Sequence, residues 1–453
     1  MSSSNNAPDP AALQDIAGDL VKSALRLGAD SAEASVGESR SMDISIRDGK
    51  LEDVERSESL DAGVRVFIGK QQAGVGFSDL SAQGRETAIA RAVAMAKSAP
   101  EDPFSALAEA DRLDKNPPQI EQFDPTNWSP AELEKRATDV ENAARAIDGV
   151  TMTESAFASQ GQGGAAYATS TGFNHGWRKS VFSYGVSVIA ERDGEMERDY
   201  AGTGARRPSD LRGMEEIGTE AGERVVKRLG ATKLPSGVLP VVFDRKVATT
   251  FLGALCGAIS GPAVARGVSF LREKLGEKIF SDNINIIDDP HRAWGHGSTP
   301  FDGEGTRNQR SALIQDGHLT TWLLNSASAR QLEMTPTGHA SLSMGGPPGV
   351  GTTNLHLEPG NLSREDMIAG LEDGVLIMEM FGPSLNSNTG DWSVGVSGYK
   401  ITKGQIDHPV SEITVAGNLV DIFGRLIPAN DLKFRGSTNS PSVLIDDMSI
   451  GGL

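Results

Sequence analysis

A chain of 453 residues is too long for one hydrophobic core, so two or three domains are expected. Its formal net charge of −18 disfavours nucleic acid as a general partner, because such proteins need a basic face; the same charge also serves ordinary solubility. The 52 glycines and 22 prolines call for many turns within an otherwise globular composition.

The single cysteine, Cys256, excludes an internal disulfide and suits a reducing compartment. The opening MSSSNNAPDPAALQD has neither the basic nor the apolar region of a signal peptide, and no run approaches the roughly 18 apolar residues of a membrane span. A cytoplasmic location is the expectation.

Residues 1–8 are polar and read as frayed. From Pro10, the residues Leu13, Ile16, Ala17, Leu20, Val21, Ala24 and Leu25 form a helical stripe that ends at Gly28. Alternating runs then predict an antiparallel meander, with turns at Asp48-Gly49 and Gly69-Lys70. A helix over 82–98 follows, and the Pro/Asp-rich segment 99–126 reads as a linker or irregular cover. Ser129, Pro130 and Glu132 spell a capping box, with Leu133, Ala137, Val140, Ala144 and Ile147 as the buried stripe. Strands and a helix over about 210–229 complete this second unit. Both units carry a Gly-Val-x-Val strand, at Gly63–Val66 and Gly185–Val188, so residues 1–235 read as one α+β module duplicated. The expected fold class is α+β: duplicated helix/antiparallel-sheet modules at 1–126 and 127–235, then a β-rich domain at 236–453, built as a curved sheet or open barrel. In that last part, two helices are predicted, one after Asp244 and a short one at 367–373 capped through Ser363–Asp366.

Residues 241–279 are where function has to be decided. Val241-Val242-Phe243 reads as a buried strand, Asp244 as a helix cap, and Val247, Phe251 and Leu255 as one apolar face. From Ala254 to Gly267 the residues are mostly small, which admits close backbone approach or leaves space beside the helix. Elsewhere, His291 and His296 form the closest histidine pair, with Asp288, Asp289, Asp302 and Glu304 nearby. A zinc site needs three or four ligands at one point, and the bland reading of this loop is a turn-rich connection with solvated charges. There is no Gly-x-Ser-x-Gly elbow, and the glycine-rich run 346–351 lacks the Lys-Ser/Thr of a phosphate loop.

The order VVFD, a Gly/Ala-rich helix, then ARGVSFLREKLGEKI resembles the TldD/PmbA metalloprotease family. The DDPH…PFDGEG run and SMGGPPGVGTTNLHLEPG are similar to segments of PmbA-type chains. The active branch of that family carries His-Glu-x-x-x-His ahead of an Arg-Gly-x-Ser pattern, here Arg266-Gly267-Val268-Ser269. Counting back, its three functional positions fall on Leu252, Gly253 and Gly257, none of which binds zinc or moves a proton. The third zinc ligand of that branch is a cysteine near the C-terminus, and 430–452 has none. The chain therefore resembles the PmbA (TldE) branch, with no catalytic or metal residue of its own and Cys256 as a small buried hydrophobe.

The resemblance implies a subunit of a cytoplasmic TldD–TldE-type protease that cleaves unfolded peptides, in microcin-type peptide maturation and antitoxin degradation. Zinc is expected in the TldD-like partner and not in this chain. Thr353, Asn354 and Leu355 are implied as lining a peptide channel. Two His five residues apart stand about 140° out of alignment on a regular helix, so a bulge or wide turn at Gly253, Gly257 and Gly261 is expected to present positions 252, 253 and 257 to one cavity. Two other readings stand beside this one. The first is a non-enzymatic homodimer that binds peptides or a partner, of the modulator-of-DNA-gyrase type. The second is a self-sufficient hydrolase with a metal at His291 and His296.

Overall fold

The computed structural model describes residues 7–453; residues 1–6, part of the segment expected to fray, lie outside the described residues. Helix α1 (Pro10–Arg26) starts at Asp9, whose carboxylate accepts from Ala11 N, and buries Leu13, Ala17, Leu20, Val21 and Ala24. Gly28 follows with φ +101°, a backbone that L side chains rarely adopt. Strands β1 (Ser31–Arg47), β2 (Lys50–Ile68) and β3 (Gln71–Phe77) form the predicted meander, and Asp48 and Gly49 both take positive φ in the first turn. Helix α2 (Ala82–Ala96) closes the first unit. The second repeats it with α3 (Pro130–Arg145), β4 (Val150–Thr169), β5 (Asn174–Arg192), β6 (Glu195–Ala205) and α4 (Met214–Arg228). The capping box at Ser129 and Glu132 is formed in both directions.

The two copies share one sheet. Its order is β3-β2-β1-β4-β5-β6, so β1 and β4 pair antiparallel at the centre and the copies are related across that seam. Alternation along the strands sends Ala32, Ala34, Val64 and Val66 toward α1 and α2, and Ala156, Ala158, Val186 and Val188 toward α3 and α4. The other face is rich in glycine and polar residues. The outer half of β2 is paired only on its β1 side, since β3 begins opposite Ile68 and ends opposite Ala62, and residues 50–60 are exposed.

Beyond β7 (Gly237–Phe243) come α5 (Arg245–Ala258), α6 (Gly261–Ala265), β8 (Ile286–Asp288), β9 (Ser311–Gln315), β10 (His318–Leu319) and α7 (Ser326–Gln331). Then follow β11 (Ala340–Ser341), β12 (Gly349–Val350), β13 (Leu355–Leu357), α8 (Arg364–Ala369), β14 (Asp373–Leu385), β15 (Asp391–Thr402) and β16 (Gln405–Asn418). The chain ends with α9 (Leu419–Arg425), β17 (Ile427–Pro428), β18 (Thr438–Asn439) and β19 (Val443–Gly451). Strands β16-β15-β14-β7-β19 run side by side, and β19 returns to β16 at Thr414↔Gly451, Val415↔Ile450 and Ala416↔Ser449. The barrel is thus closed, where the sequence left a curved sheet or open barrel as alternatives. A second sheet, β10-β9-β8-β13-β18, packs on α5 from the other side. Helix α8 begins directly after its cap Ser363 and not at Met367. The run Leu419–Phe423 looks like a strand but forms α9, because Asn418 Oδ1 caps it by accepting from Val420 N. No helix among the described residues is long and apolar enough to cross a membrane.

Segment 99–126 is a cover. Leu107, Ala108 and Leu113 are buried, and Arg330 donates to the carbonyls of Phe104, Ala106 and Leu107. The two halves of the molecule meet on the helix-free face of the large sheet. Arg206, just past β6, donates to Gly295 O and His296 O, and on the helix side Arg228 at the end of α4 pairs with Glu379. The loop at Met344–Gly345 lies directly on β2 and β3. A Cβ at Gly63 would stand 2.1 Å from Gly345 N, and one at Gly74 would stand 1.6 Å from Gly345 O. Close by, Arg65 and Tyr167 both reach Glu33, at 2.8 and 2.7 Å, and all three are buried. Across the junction, Glu304 accepts from Ser326 N and Oγ, and Asp302 accepts from Glu304 N, Thr306 N and Ala340 N. Burial pushes Glu304 up to about 7, helped by the neighbouring Asp302 charge.

Two predictions follow from this junction. Gly74→Ala should lose roughly 1–3 kcal/mol through overpacking and should expose the 342–348 loop to limited proteolysis; an unchanged melt and digest would show that the loop is not seated there. Glu304 has its folded pKa raised from 4.5, so its stabilising contribution is complete below about 4.5 and lost as pH rises through about 7. Wild type should therefore gain stability relative to Glu304→Gln as pH falls from about 8 to 4.5, on the order of 2 kcal/mol. Melting curves at stepped pH check this, and parallel curves for the two proteins would refute it.

Candidate functional site along the small-residue helix

Strand β7 delivers the chain to Asp244, whose Oδ1 accepts from Lys246 N at 3.0 Å while Oδ2 accepts from Arg364 at 2.8 Å. Helix α5 then follows its apolar pattern. Ala248, Phe251, Leu252, Leu255 and Ala258 are buried, and Phe251 meets the rings of Phe243 and Trp392 at 5.0 and 5.6 Å.

The expected distortion does not occur. The helix is regular from Arg245 to Ala258, so Leu252 points into the core with 3% exposure, while Gly253 and Gly257 lie one turn apart on the outer face. Nothing stands within 4 Å of where their Cβ atoms would be. The three positions do not share a cavity. The reason is packing: Phe251, Leu252 and Leu255 are held on one side, and glycine permits a bulge without requiring one.

The outer face runs Lys246, Thr249, Thr250, Gly253, Gly257. Opposite its first turns stands edge strand β6, and the Lys246 ammonium sits 3.8 Å above the Tyr200 ring. Two cavities open here. One of about 640 Å3 is lined by Thr249, Thr250, Met380 and Phe381 among others. The other, about 420 Å3, lies between Arg212, Arg224, Arg245 and the 433–440 loop. They share Tyr200, Lys246, Thr249 and Met378, so they form one groove between the duplicated sheet and the barrel domain. The loop that the resemblance aligns with the third zinc ligand thus does meet α5.

The residues present do not fit zinc. Position 252 is a core leucine, 253 and 257 have no side chains, and residues 432–440 contain no cysteine. Among the described residues, no group of three or more His, Cys, Asp or Glu side chains is arranged to hold a metal. His291 and His296 are engaged separately. His291 Nε2 meets Asn308 Oδ1 at 2.7 Å, whereas His296 sits beside Arg206, and burial and that charge push its pKa down.

Thr353, Asn354 and Leu355 lie on the far flank of α5. Thr353 N and Oγ1 donate to Asp288 at 2.8 and 2.9 Å, and Thr353 helps line a cavity of about 170 Å3 with Trp177 and His339. Asn354 is 1% exposed and braces the 289–298 turn through Asp289 O, Gly297 N and Ser298 Oγ. Leu355 is equally buried and belongs to the barrel-side core. Of the three, Thr353 alone faces a cavity. The cationic lining of the groove went unread in the sequence, because its members come from segments more than 200 residues apart and no local pattern joins them.

Cys256 is half-buried beside Thr352, and burial, with the nearby Asp288 charge, pushes its thiol up to about 12. Such a thiol stays protonated at neutral pH, which disfavours a nucleophilic role. Cys256→Ala should cost at most about 1–2 kcal/mol and leave peptide binding or partner-dependent activity unchanged; loss of either without unfolding would give the sulfur a chemical role.

Comparison with known proteins agrees with this architecture. The PmbA/TldA metallopeptidase family matches in three parts: domain 1 at residues 32–96, the central domain at 123–229 and the C-terminal domain at 236–452. The chain is 35% identical to Metalloprotease PmbA of Escherichia coli O157:H7 over 96% of both chains. It is 31% identical to the Metalloprotease PmbA homolog of Haemophilus influenzae over 95% of this chain and 94% of that one. Among solved structures, a protein of Bacteroides thetaiotaomicron described as a modulator of DNA gyrase superposes with TM-score 0.90 at 25% identity, covering 97% of this chain and 99% of the other. TldE of Thermococcus kodakarensis shares the fold, with TM-score 0.85 at 19% identity over 96% of this chain and all of that one. The chain with the glycine-faced helix and no zinc ligands on it belongs to the PmbA/TldD metallopeptidase family, in its PmbA (TldE) branch.

Proposed function

We propose that this chain is the non-catalytic subunit of a two-chain cytoplasmic peptidase, working with a TldD-like partner that carries the zinc and the general base. The observation that carries the reading is the outer face of α5. Its first turns border a groove of peptide dimensions through Lys246, Thr249 and Thr250, and beyond them Gly253 and Gly257 offer nothing that binds metal or moves a proton. This chain supplies groove wall and interface. Unfolded peptides are the substrate class, because an extended segment can pair with a strand edge such as β6 whatever its side chains. Microcin-type precursors and antitoxins are the specific candidates.

The test is co-expression with a family member whose His-Glu-x-x-x-His is intact. The tagged chain should pull down that partner, the complex should carry zinc and cleave casein in a chelator-sensitive way, and this chain alone should do neither. Stoichiometric zinc and chelator-sensitive cleavage by the isolated chain would overturn the proposal. A stable homodimer that binds peptides and ignores the partner would replace it with the binding-protein reading.

A further inference from the structure

The cavity at the N-terminal end of α5 is lined by seven cationic side chains and two carboxylates. This concentration stands out in a chain of net charge −18. Arg212 and Arg224 come from the end of the duplicated region, Arg245 and Lys246 from the first turn of α5, and Arg364 from α8. Lys433 and Arg435 project from the loop before β18.

Some of this charge is matched. Arg212 pairs with Glu216 and Glu220, Arg224 lies 3.0 Å from Asp199, and Arg364 lies 2.8 Å from Asp244. Arg245 stands 4.0 Å from Asp431, and Lys246 rests on Tyr200. Lys433 and Arg435 make no ion pair or side-chain hydrogen bond among the described residues; only the Arg435 backbone N–H is used, by Asn439 Oδ1. Burial, then Arg212 and Arg245, disfavour the Arg435 charge. Cations held against one another this way raise the free energy of the empty cavity and lower it when an anion enters. The positive end of the α5 dipole adds to the field. Guanidinium groups donate in pairs to a planar carboxylate.

We infer that this cavity binds a peptide carboxylate, foremost the C-terminal carboxylate of a chain lying in the groove. This inference rests on the peptide-groove reading above. The adjoining cavity shares four lining residues with this one and adds Met380 and Phe381, so a peptide anchored by its end has an apolar wall for the residues before it. Recognition of an end also frees the site from side-chain identity.

The experiment is calorimetric titration of the purified chain with N-acetylated neutral heptapeptides: a free acid, its C-terminal amide, and the amide with Asp as last residue. Inorganic phosphate is titrated in parallel. The free acid should bind roughly 10-fold or more tighter than the amide, as expected of charge-assisted hydrogen bonds, and the gap should shrink with added salt. Lys433→Ala/Arg435→Ala should abolish the gap while amide affinity stays unchanged. Both residues are exposed, and a melting curve checks the fold. Should that variant unfold, the salt dependence of the wild-type gap decides. Recovery of binding by the Asp-bearing amide would confirm carboxylate recognition and place its source in a side chain. Equal binding of acid and amide overturns the inference and leaves the groove reading standing. No peptide binding at all, with or without phosphate binding, overturns both.

Discussion

The seating of α5 between the closed barrel and the second sheet is the constraint on which the C-terminal half depends. Phe251, Leu252 and Leu255 are buried to within 3% of complete. Phe251 touches the neighbouring strand β7 through Phe243 and the sequence-distant β15 through Trp392. A helix held this way cannot rotate or bulge without opening the core, and each buried side chain resists by about 1.5–3 kcal/mol. The inner face therefore dictates the outer one. Whatever lies in the groove meets lysine and threonine of this helix because the leucines have been claimed elsewhere.

The junction between the halves follows a different principle. It joins close backbone approach and buried charge to one aromatic cluster, in which Phe301 meets Phe173 and Trp177 at 4.8 and 5.1 Å. Glycines at 63 and 74 let the 344–345 segment lie on the sheet. Arg206, 8% exposed, donates to Ser180 O of its own half and to Gly295 O and His296 O of the opposite one. The Arg65–Glu33–Tyr167 triad is desolvated and internally satisfied, so its net contribution to stability is small while the loss of any one member is costly. Such a junction fixes orientation sharply, and the groove inherits its width from it.

Local signals were legible in the sequence wherever chemistry stayed local. The Ser129–Glu132 capping box, the Asp48-Gly49 turn and the Asp244 cap appear as read, and so does the α1 stripe except for Leu25, which is exposed. The duplication was legible too, from the paired Gly-Val-x-Val strands, which occupy the equivalent places β2 and β5. What pairing decides was not legible. That the copies fuse through β1 and β4, and that β19 returns to β16, are facts of long-range register with no residue code. Helix α9 was hidden because Leu-Val-Asp-Ile-Phe suits a strand as well, and its cap tipped the balance. Position 252 could be named as one that lost a ligand, but its burial depends on a core cluster assembled from residues 234 to 450. The absence of a zinc set was readable; the presence of a cationic pocket was not.

The outer half of β2, paired on one side only, carries a consequence of its own. Eleven residues, from Lys50 to Leu60, offer an open ladder of amide and carbonyl groups to solvent. Nothing in backbone geometry stops a second chain from extending the sheet there. What guards it is the side-chain sequence KLEDVERSESL, with four acids against two bases. Like-charged edges repel across a Debye length and cease to do so once ions shrink it to a few ångströms. Association through this edge is therefore expected to rise with ionic strength, and a buffer chosen for the groove also chooses the fate of the edge.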